Sequence, residues 1–148
     1  MTRHIYRSAV SWSGSTTDYD SYHRRHEVTI GTASLAVSAD AAFRGDPDLV
    51  NPEQLLVATV SSCQLLSFLA VASRSGVDVV RYSDDAEGVM PESEDPMRVT
   101  TIVLRPRIRV RGGSAQRVER LVHKAHEQCY IANSLTSKVV LEPTIEVI

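Results

Sequence analysis

The chain is poor in cysteine and has no excess of positive charge. Cys63 and Cys129 are its only cysteines, which excludes the dense disulfide framework of a small secreted domain. Lys and Arg number 16 against 18 Asp and Glu, for a formal charge of -2. No positive field therefore draws the chain to nucleic acid or anionic lipid. We expect small molecules or proteins as partners, with no nucleic acid and no membrane.

The sequence also lacks a secretion signal and a clean membrane span. Its first residues, Met-Thr-Arg-His-Ile-Tyr-Arg, contain no apolar core of a signal peptide, so a reducing cytoplasm is the predicted compartment. The longest apolar run, residues 55–72, approaches the lower length limit of a membrane helix. Five polar side chains interrupt it, and it follows a helix cap typical of soluble proteins. We predict a helix buried on most sides.

Several catalytic motifs are absent. The chain has no G-x-S-x-G segment, no glycine-rich phosphate loop and no paired-carboxylate signature, so hydrolase and nucleotide-binding functions have no support. The C-x-x-C and H-E-x-x-H spacings of zinc sites are also missing, and His126 lies only three residues before Cys129. We predict neither a metal nor a cofactor.

The pattern along the chain predicts two helices among strands. Asn51 caps the first helix, Pro52 takes its first position, Gln54 completes a capping box and Gly76 stops it, so we predict a helix over 52–75. Ser114 can cap a second helix, whose apolar residues continue to Cys129. Strands are predicted over 3–12, 26–39, 77–90, 98–110 and 138–148.

This order of elements predicts the fold class. Helices and strands do not alternate as repeated βαβ units, and the strand over 98–110 alternates apolar and charged residues at its end. We predict a single α+β domain, residues 1–148, with antiparallel sheets.

The two cysteines are the first candidates for chemistry. A thiol redox enzyme needs one sulfur that attacks and one that resolves the oxidised product. Buried packing is the alternative for each, because free cysteine is among the most buried residue types. A reactive Cys63 needs a cation close to it, and the candidates are Arg24 and Arg25. A solvated basic turn is the alternative for both arginines.

Glu53 is a candidate for orienting that cation. It precedes Cys63 by ten residues, or about 15 Å along one straight helix, so the two cannot touch within the helix. A second chain with its helix antiparallel to the first would bring one chain's Glu53 toward the other's Cys63. The alternative is that Glu53 only complements the helix dipole.

Several segments together resemble the OsmC/Ohr family of osmotically inducible and organic hydroperoxide resistance proteins. They are Phe43-Arg-Gly-Asp46, Asn51-Pro-Glu-Gln-Leu-Leu56, Ser62-Cys63 and His126-Glu-Gln-Cys129. The resemblance covers nearly the whole chain. It implies an intertwined homodimer in which two long central helices pack against curved antiparallel sheets.

The resemblance also implies a thiol-dependent peroxidase. Cys63 would attack an organic hydroperoxide, Cys129 would resolve the sulfenic acid as a disulfide, and a dithiol such as a dihydrolipoyl group would restore both thiols. Glu53 matches the family's glutamate. For the arginine of the family's site, Arg24 is the first candidate, Arg25 the second and Arg44 a further one.

One departure from the family pattern leaves a second function open. In the hydroperoxide resistance proteins, proline usually follows the second cysteine, whereas Tyr130 stands here. The alternative is a redox-sensing module, or a module that binds a small apolar ligand without turnover.

Overall fold

Nine β-strands and two α-helices make up the protein, as seen in a computed structural model that describes residues 1–148. The predicted α+β class is confirmed. The chain divides into two compact units, Met1–Leu55 and Leu56–Ile148.

The first unit contains an antiparallel sheet in the order β1-β2-β3. Its strands are β1 Ser8–Ser11, β2 His26–Ile30 and β3 Ala33–Val37. The predicted strand over 26–39 is thus two strands, because Gly31 turns the chain at a φ of 60° that favours glycine. The predicted strand over 3–12 is shorter than expected.

The first helix, α1, spans Pro52–Arg74, close to the predicted bounds. The capping box of Asn51 and Gln54 is present: the Gln54 N–H donates to Asn51 Oδ1 at 2.9 Å, and the Asn51 N–H donates to Gln54 Oε1 at 3.0 Å. Gly76 follows the helix at a φ of 72°. Local signals therefore determine both ends of α1.

Burial of α1 differs from the expectation of a helix covered on most sides. Only five of its 23 residues are buried, and these form one stripe: Val60, Gln64, Phe68, Val71 and Ala72. Leu66 stays 64% exposed and Leu69 39% exposed. α1 carries apolar side chains on several of its faces, and a single chain buries only one of these faces. By length and composition alone α1 could cross a membrane, a test that core helices of soluble proteins also pass.

The second unit has two three-stranded sheets, in the orders β4-β7-β9 and β5-β6-β8. Their strands are β4 Asp78–Asp84, β5 Glu87–Val89, β6 Thr101–Leu104, β7 Pro106–Arg111, β8 Lys138–Leu141 and β9 Thr144–Val147.

The expectation of purely antiparallel sheets is wrong for this unit. β4 with β7 and β5 with β6 are antiparallel, but β6 with β8 and β7 with β9 are parallel. The long connection after β7 contains the second helix, and such a crossover returns the chain in its original direction. The strand predicted over 98–110 breaks at Arg105, whose N–H donates to Asp84 Oδ1 at 2.6 Å instead of to a strand.

The second helix, α2, spans Ala115–Glu127. Ser114 caps it as predicted, because its side chain accepts a hydrogen bond from the Arg117 N–H at 3.2 Å. The buried face of α2 packs with Phe68 of α1 and with β7, and consists of Val118, Leu121, Val122 and Ala125. A second cluster gathers around Val60, Val99, Ile102 and Leu104.

Candidate active site

The two cysteines lie side by side in the second unit. The side chain of Cys63 lies close enough to Cys129 to raise its pKa, and both cysteines are free thiols. Cys63 lies on α1 and is partly exposed, whereas Cys129 is 1% exposed. The fold therefore brings together two sulfurs that are far apart in the sequence.

Cys129 does not lie on a helix, contrary to the prediction. α2 ends at Glu127, and Gln128 is its C-cap. The backbone then turns and brings the N–H groups of Ile131 and Ala132 toward the Cys129 thiol, where they favour its charged form. The sequence predicts a longer helix because the apolar stripe continues to Cys129, two residues beyond the last residue of α2.

Two polar side chains of α1 hold it against α2 next to the cysteines. Gln64 Nε2 donates to the Val122 carbonyl at 3.1 Å, and Ser67 Oγ donates to the Ala125 carbonyl at 2.7 Å. Gln64 is fully buried, so its bond is shielded from water. These bonds fix the side of α1 that faces α2, and with it the position of Cys63.

The surroundings of Cys129 keep its thiol protonated. Burial is the largest effect and raises the pKa of Cys129 above its ordinary value. The hydrogen bond with Cys63 and the charge on Cys63 raise this pKa further, while the N–H groups of Ile131 and Ala132 lower it. The net shift is upward, so Cys129 can donate its S–H to Cys63 at neutral pH.

A cavity of about 500 Å³ opens beside Cys63. Three turns of α1 form one wall, and the segment after α2 forms the other. The lining residues are Cys63, Leu66, Ser67, Ala70, Arg74, Gln128, Tyr130 and Asn133. The cavity gives a small molecule access to Cys63, and its middle is apolar.

Arg24 and Arg44 are each held by contacts within the first unit. The Arg24 guanidinium donates to the carbonyls of Tyr22 and Tyr19 and lies 3.5 Å from the centroid of the Tyr22 ring. Arg44 forms an ion pair with Asp20 at 2.9 Å. Arg25 is exposed. Which arginine serves Cys63 stays a prediction.

Glu53 lies in the first turn of α1 and is partly buried. Because α1 is continuous from Pro52 to Arg74, Glu53 and Cys63 are about 15 Å apart along its axis. The two side chains of one chain do not meet along this helix, as predicted. The role of Glu53 toward an arginine stays a prediction.

A family model described as OsmC-like protein matches residues 45–144. The chain belongs to the OsmC-like protein family. This confirms the resemblance inferred from the Asn51 and Cys63 segments.

Two proteins are similar to this OsmC-like chain over nearly their whole length. An OsmC-like protein of unknown function from Vibrio cholerae O1 biovar eltor is 30% identical, with a TM-score of 0.85 over 96% of this chain and 100% of that one. The uncharacterized protein YmaD of Bacillus subtilis is 20% identical over 96% of this chain and 93% of its own.

A more distant structure is an organic hydroperoxide resistance protein from Elizabethkingia anophelis with a crystallant-derived thiocyanate bound. It is 17% identical, with a TM-score of 0.70 over 99% of this chain and 100% of that one. At this identity the likeness shows a shared fold.

Sequence reasoning missed one charged residue of the OsmC-like site. Arg74 lines the cavity, and its position follows from helical spacing, because residues 63, 67, 70 and 74 lie on one face of α1. This spacing can be read from the sequence. The backbone N–H groups of Ile131 and Ala132 cannot be predicted in this way, because they do not depend on the type of side chain.

Proposed function

We propose that the protein is a thiol-dependent peroxidase that reduces organic hydroperoxides. The observation that carries this proposal is that a partly exposed Cys63 lies beside a buried Cys129 and raises its pKa. A peroxide can reach Cys63 through the cavity, and the second thiol lies beside the sulfur that would be oxidised. The protonated Cys129 supplies a donor to a Cys63 thiolate.

The proposed reaction has two steps. The Cys63 thiolate attacks the terminal oxygen of the hydroperoxide, the O–O bond breaks, and the alkoxide leaves and takes a proton to become an alcohol. Cys63 is then a sulfenic acid. Cys129 Sγ attacks Cys63 Sγ, water leaves, and a disulfide forms. A dithiol, such as a dihydrolipoyl group, reduces that disulfide and becomes a cyclic disulfide itself.

Two further groups and a second chain belong to the proposal. Arg24, or in its place Arg25 or Arg44, stabilises the Cys63 thiolate, and Glu53 orients that arginine. The protein acts as a homodimer, because Leu66 and Leu69 leave an apolar side of α1 exposed in one chain. We place the protein in the cytoplasm, where a dithiol pool keeps thiols reduced.

The test is consumption of cumene hydroperoxide by the purified protein with dihydrolipoamide as reductant. We expect turnover by the wild-type protein and none above background with Cys63→Ser. The matched control is Ser62→Ala, which changes the exposed neighbour of Cys63 and leaves both thiols in place. Turnover that survives in Cys63→Ser would remove Cys63 from its proposed role.

A redox sensor, or a module that binds a small apolar ligand without turnover, is the second candidate function. The observation that favours it is the apolar part of the cavity at Leu66 and Ala70, which suits a small apolar ligand. A sensor would form the disulfide with one equivalent of peroxide and would not be recycled efficiently by any dithiol. Recycling kinetics therefore separate the two functions.

A further inference from the structure

One charged side chain lines the cavity beside Cys63. It is Arg74, the last residue of α1. The other lining residues are thiol, apolar or neutral polar, and no Asp or Glu is among them. The cavity therefore contains a positive charge without an acidic side chain to balance it.

Arg74 also differs from most arginines of this unit in its partners. Every ion pair of the protein uses another arginine, and these are Arg44, Arg98, Arg105, Arg107, Arg109 and Arg111. Arg74 forms no ion pair and is exposed at the end of its helix. Its guanidinium is thus free to bind an anion, and a planar guanidinium can bind a carboxylate through two parallel hydrogen bonds.

Cys63 and Arg74 lie at opposite ends of one wall of the cavity. Eleven residues separate them, which corresponds to about 16 Å along the helix axis. Long side chains on a helix point back toward its N-terminus, so the guanidinium is directed toward Cys63 and shortens this span. Leu66 and Ala70 lie between the two ends and are apolar. A molecule that fits this wall has an anionic end, an apolar middle and an end that reaches the thiol.

The helix dipole offers another explanation for Arg74. A cation in the last turn stabilises a helix by interacting with its C-terminal carbonyl groups. That effect requires a cation near the end of α1, but it does not require the face that carries Cys63. Arg74 lies on this face, in line with residues 63, 67 and 70. Its position therefore provides for both the dipole and a ligand in the cavity.

We propose that Arg74 binds the carboxylate of an amphipathic acid whose far end reaches Cys63, so that the cavity selects organic hydroperoxides that carry a carboxylate. One guanidinium matches the single charge of a carboxylate better than the charge of about two on a phosphate monoester. This inference rests on the proposed function, which supplies the peroxide chemistry at Cys63. Arg74 determines specificity and takes no part in the bonds that break and form.

Protection of Cys63 from alkylation tests this inference without any peroxide. The reduced protein is treated with iodoacetamide at neutral pH in the presence of decanoate, below the concentration at which decanoate forms micelles. 1-Decanol, with a chain of the same length and no charge, serves as the comparison ligand. Mass spectrometry follows the tryptic peptide of residues 45–74, which contains Cys63. In Arg74→Gln this peptide extends to Arg81.

We expect decanoate to slow alkylation of wild-type Cys63 at lower concentrations than 1-decanol does. In Arg74→Gln, half-protection should need about tenfold more decanoate, because a charge-assisted hydrogen bond is lost. Arg74→Lys keeps the charge without the planar fork and should fall between the two. The matched control is Arg120→Gln, which makes the same change at an exposed residue of α2 outside the cavity lining and should behave as the wild-type protein.

Three results would overturn the inference. They are equal protection of the wild-type protein by decanoate and 1-decanol, no protection by decanoate, and equal protection by decanoate of the wild-type protein and Arg74→Gln. The comparison of the two ligands on the wild-type protein stands whether or not Arg74→Gln folds. Failure of the proposed function would appear separately, as absent turnover of cumene hydroperoxide, because the protection measurement uses no peroxide.

Discussion

Cys63 and Cys129 are neighbours in the fold, yet their surroundings differ in access and in burial. Cys63 belongs to a regular helix, is partly exposed and borders a cavity of about 500 Å³. Cys129 lies beyond the end of α2 and is buried, and burial raises its pKa. Two identical side chains can therefore take different roles because access to solvent and burial are distributed unequally between them.

Replacement of Cys129 is expected to have the largest effect on peroxidase turnover. In Cys129→Ser we expect Cys63 to be oxidised once and turnover to stop, because no thiol traps the sulfenic acid and excess peroxide carries it to sulfinic acid. Mass spectrometry of residues 45–74 measures the product. Undiminished turnover in Cys129→Ser would show that the two cysteines are not the unequal pair described above.

The packing that positions Cys63 gives the next largest effect. Phe68 is fully buried against Tyr82 and α2, so Phe68→Ala should lower the free energy of unfolding by about 3–5 kcal/mol. Leu66→Ala is the matched control, two residues earlier on the same helix and 64% exposed. Urea denaturation measures both variants. A loss as large in the control would mean that Leu66 is covered, as in the proposed dimer.

Loss of the arginine proposed to stabilise the Cys63 thiolate should have a smaller effect. Arg24→Ala is expected to slow alkylation of Cys63 by iodoacetamide at neutral pH about tenfold, because an opposite charge close to a thiolate favours the charged form. Arg25→Ala and Arg44→Ala are measured in parallel. An unchanged rate in Arg24→Ala with a slower rate in one of the others would move the role to that arginine.

The smallest expected effect is a change in the pKa of Cys129. The pKa of Cys129 should be lower in Cys63→Ser than in the wild-type protein, because the charge and hydrogen bond of Cys63 no longer raise it. Ultraviolet absorbance of the thiolate against pH measures the difference. An unchanged pKa of Cys129 in Cys63→Ser would mean that Cys63 does not contribute to it.

The raised pKa of Cys129 also has a consequence for stability. The folded state holds the Cys129 proton more tightly than the unfolded state, so this group contributes stability that is complete below its ordinary value of 9.0. That contribution is lost as the pH rises through the higher folded value.

Local features of the fold were predictable from the sequence. Asn51, Pro52 and Gln54 located the start of α1, and Ser114 located the start of α2, because helix caps depend on residues three positions apart. The parallel pairing of β6 with β8 and β7 with β9 was not predicted. It depends on a crossover between distant segments, which periodicity within one segment does not report.

The candidate site likewise has some features that the sequence predicts and others that it does not. The pairing of Cys63 with Cys129 followed from family resemblance and from no local pattern, since α1 and the end of α2 meet only in the folded chain. The end of α2 before Cys129 was missed because an apolar residue continues the helical stripe past Glu127. The position of Arg74 beside Cys63 could have been predicted from helical spacing along α1. The positions of backbone N–H groups could not, because every residue type except proline carries one.

The central claim is that Cys63 and Cys129 act as one redox pair, and one measurement tests it most directly. The reduced protein is treated with one equivalent of cumene hydroperoxide, alkylated and digested with trypsin. We expect residues 45–74 joined to residues 125–138 by a disulfide, with neither cysteine alkylated. Sulfinic acid on Cys63 beside an alkylated Cys129 would contradict it.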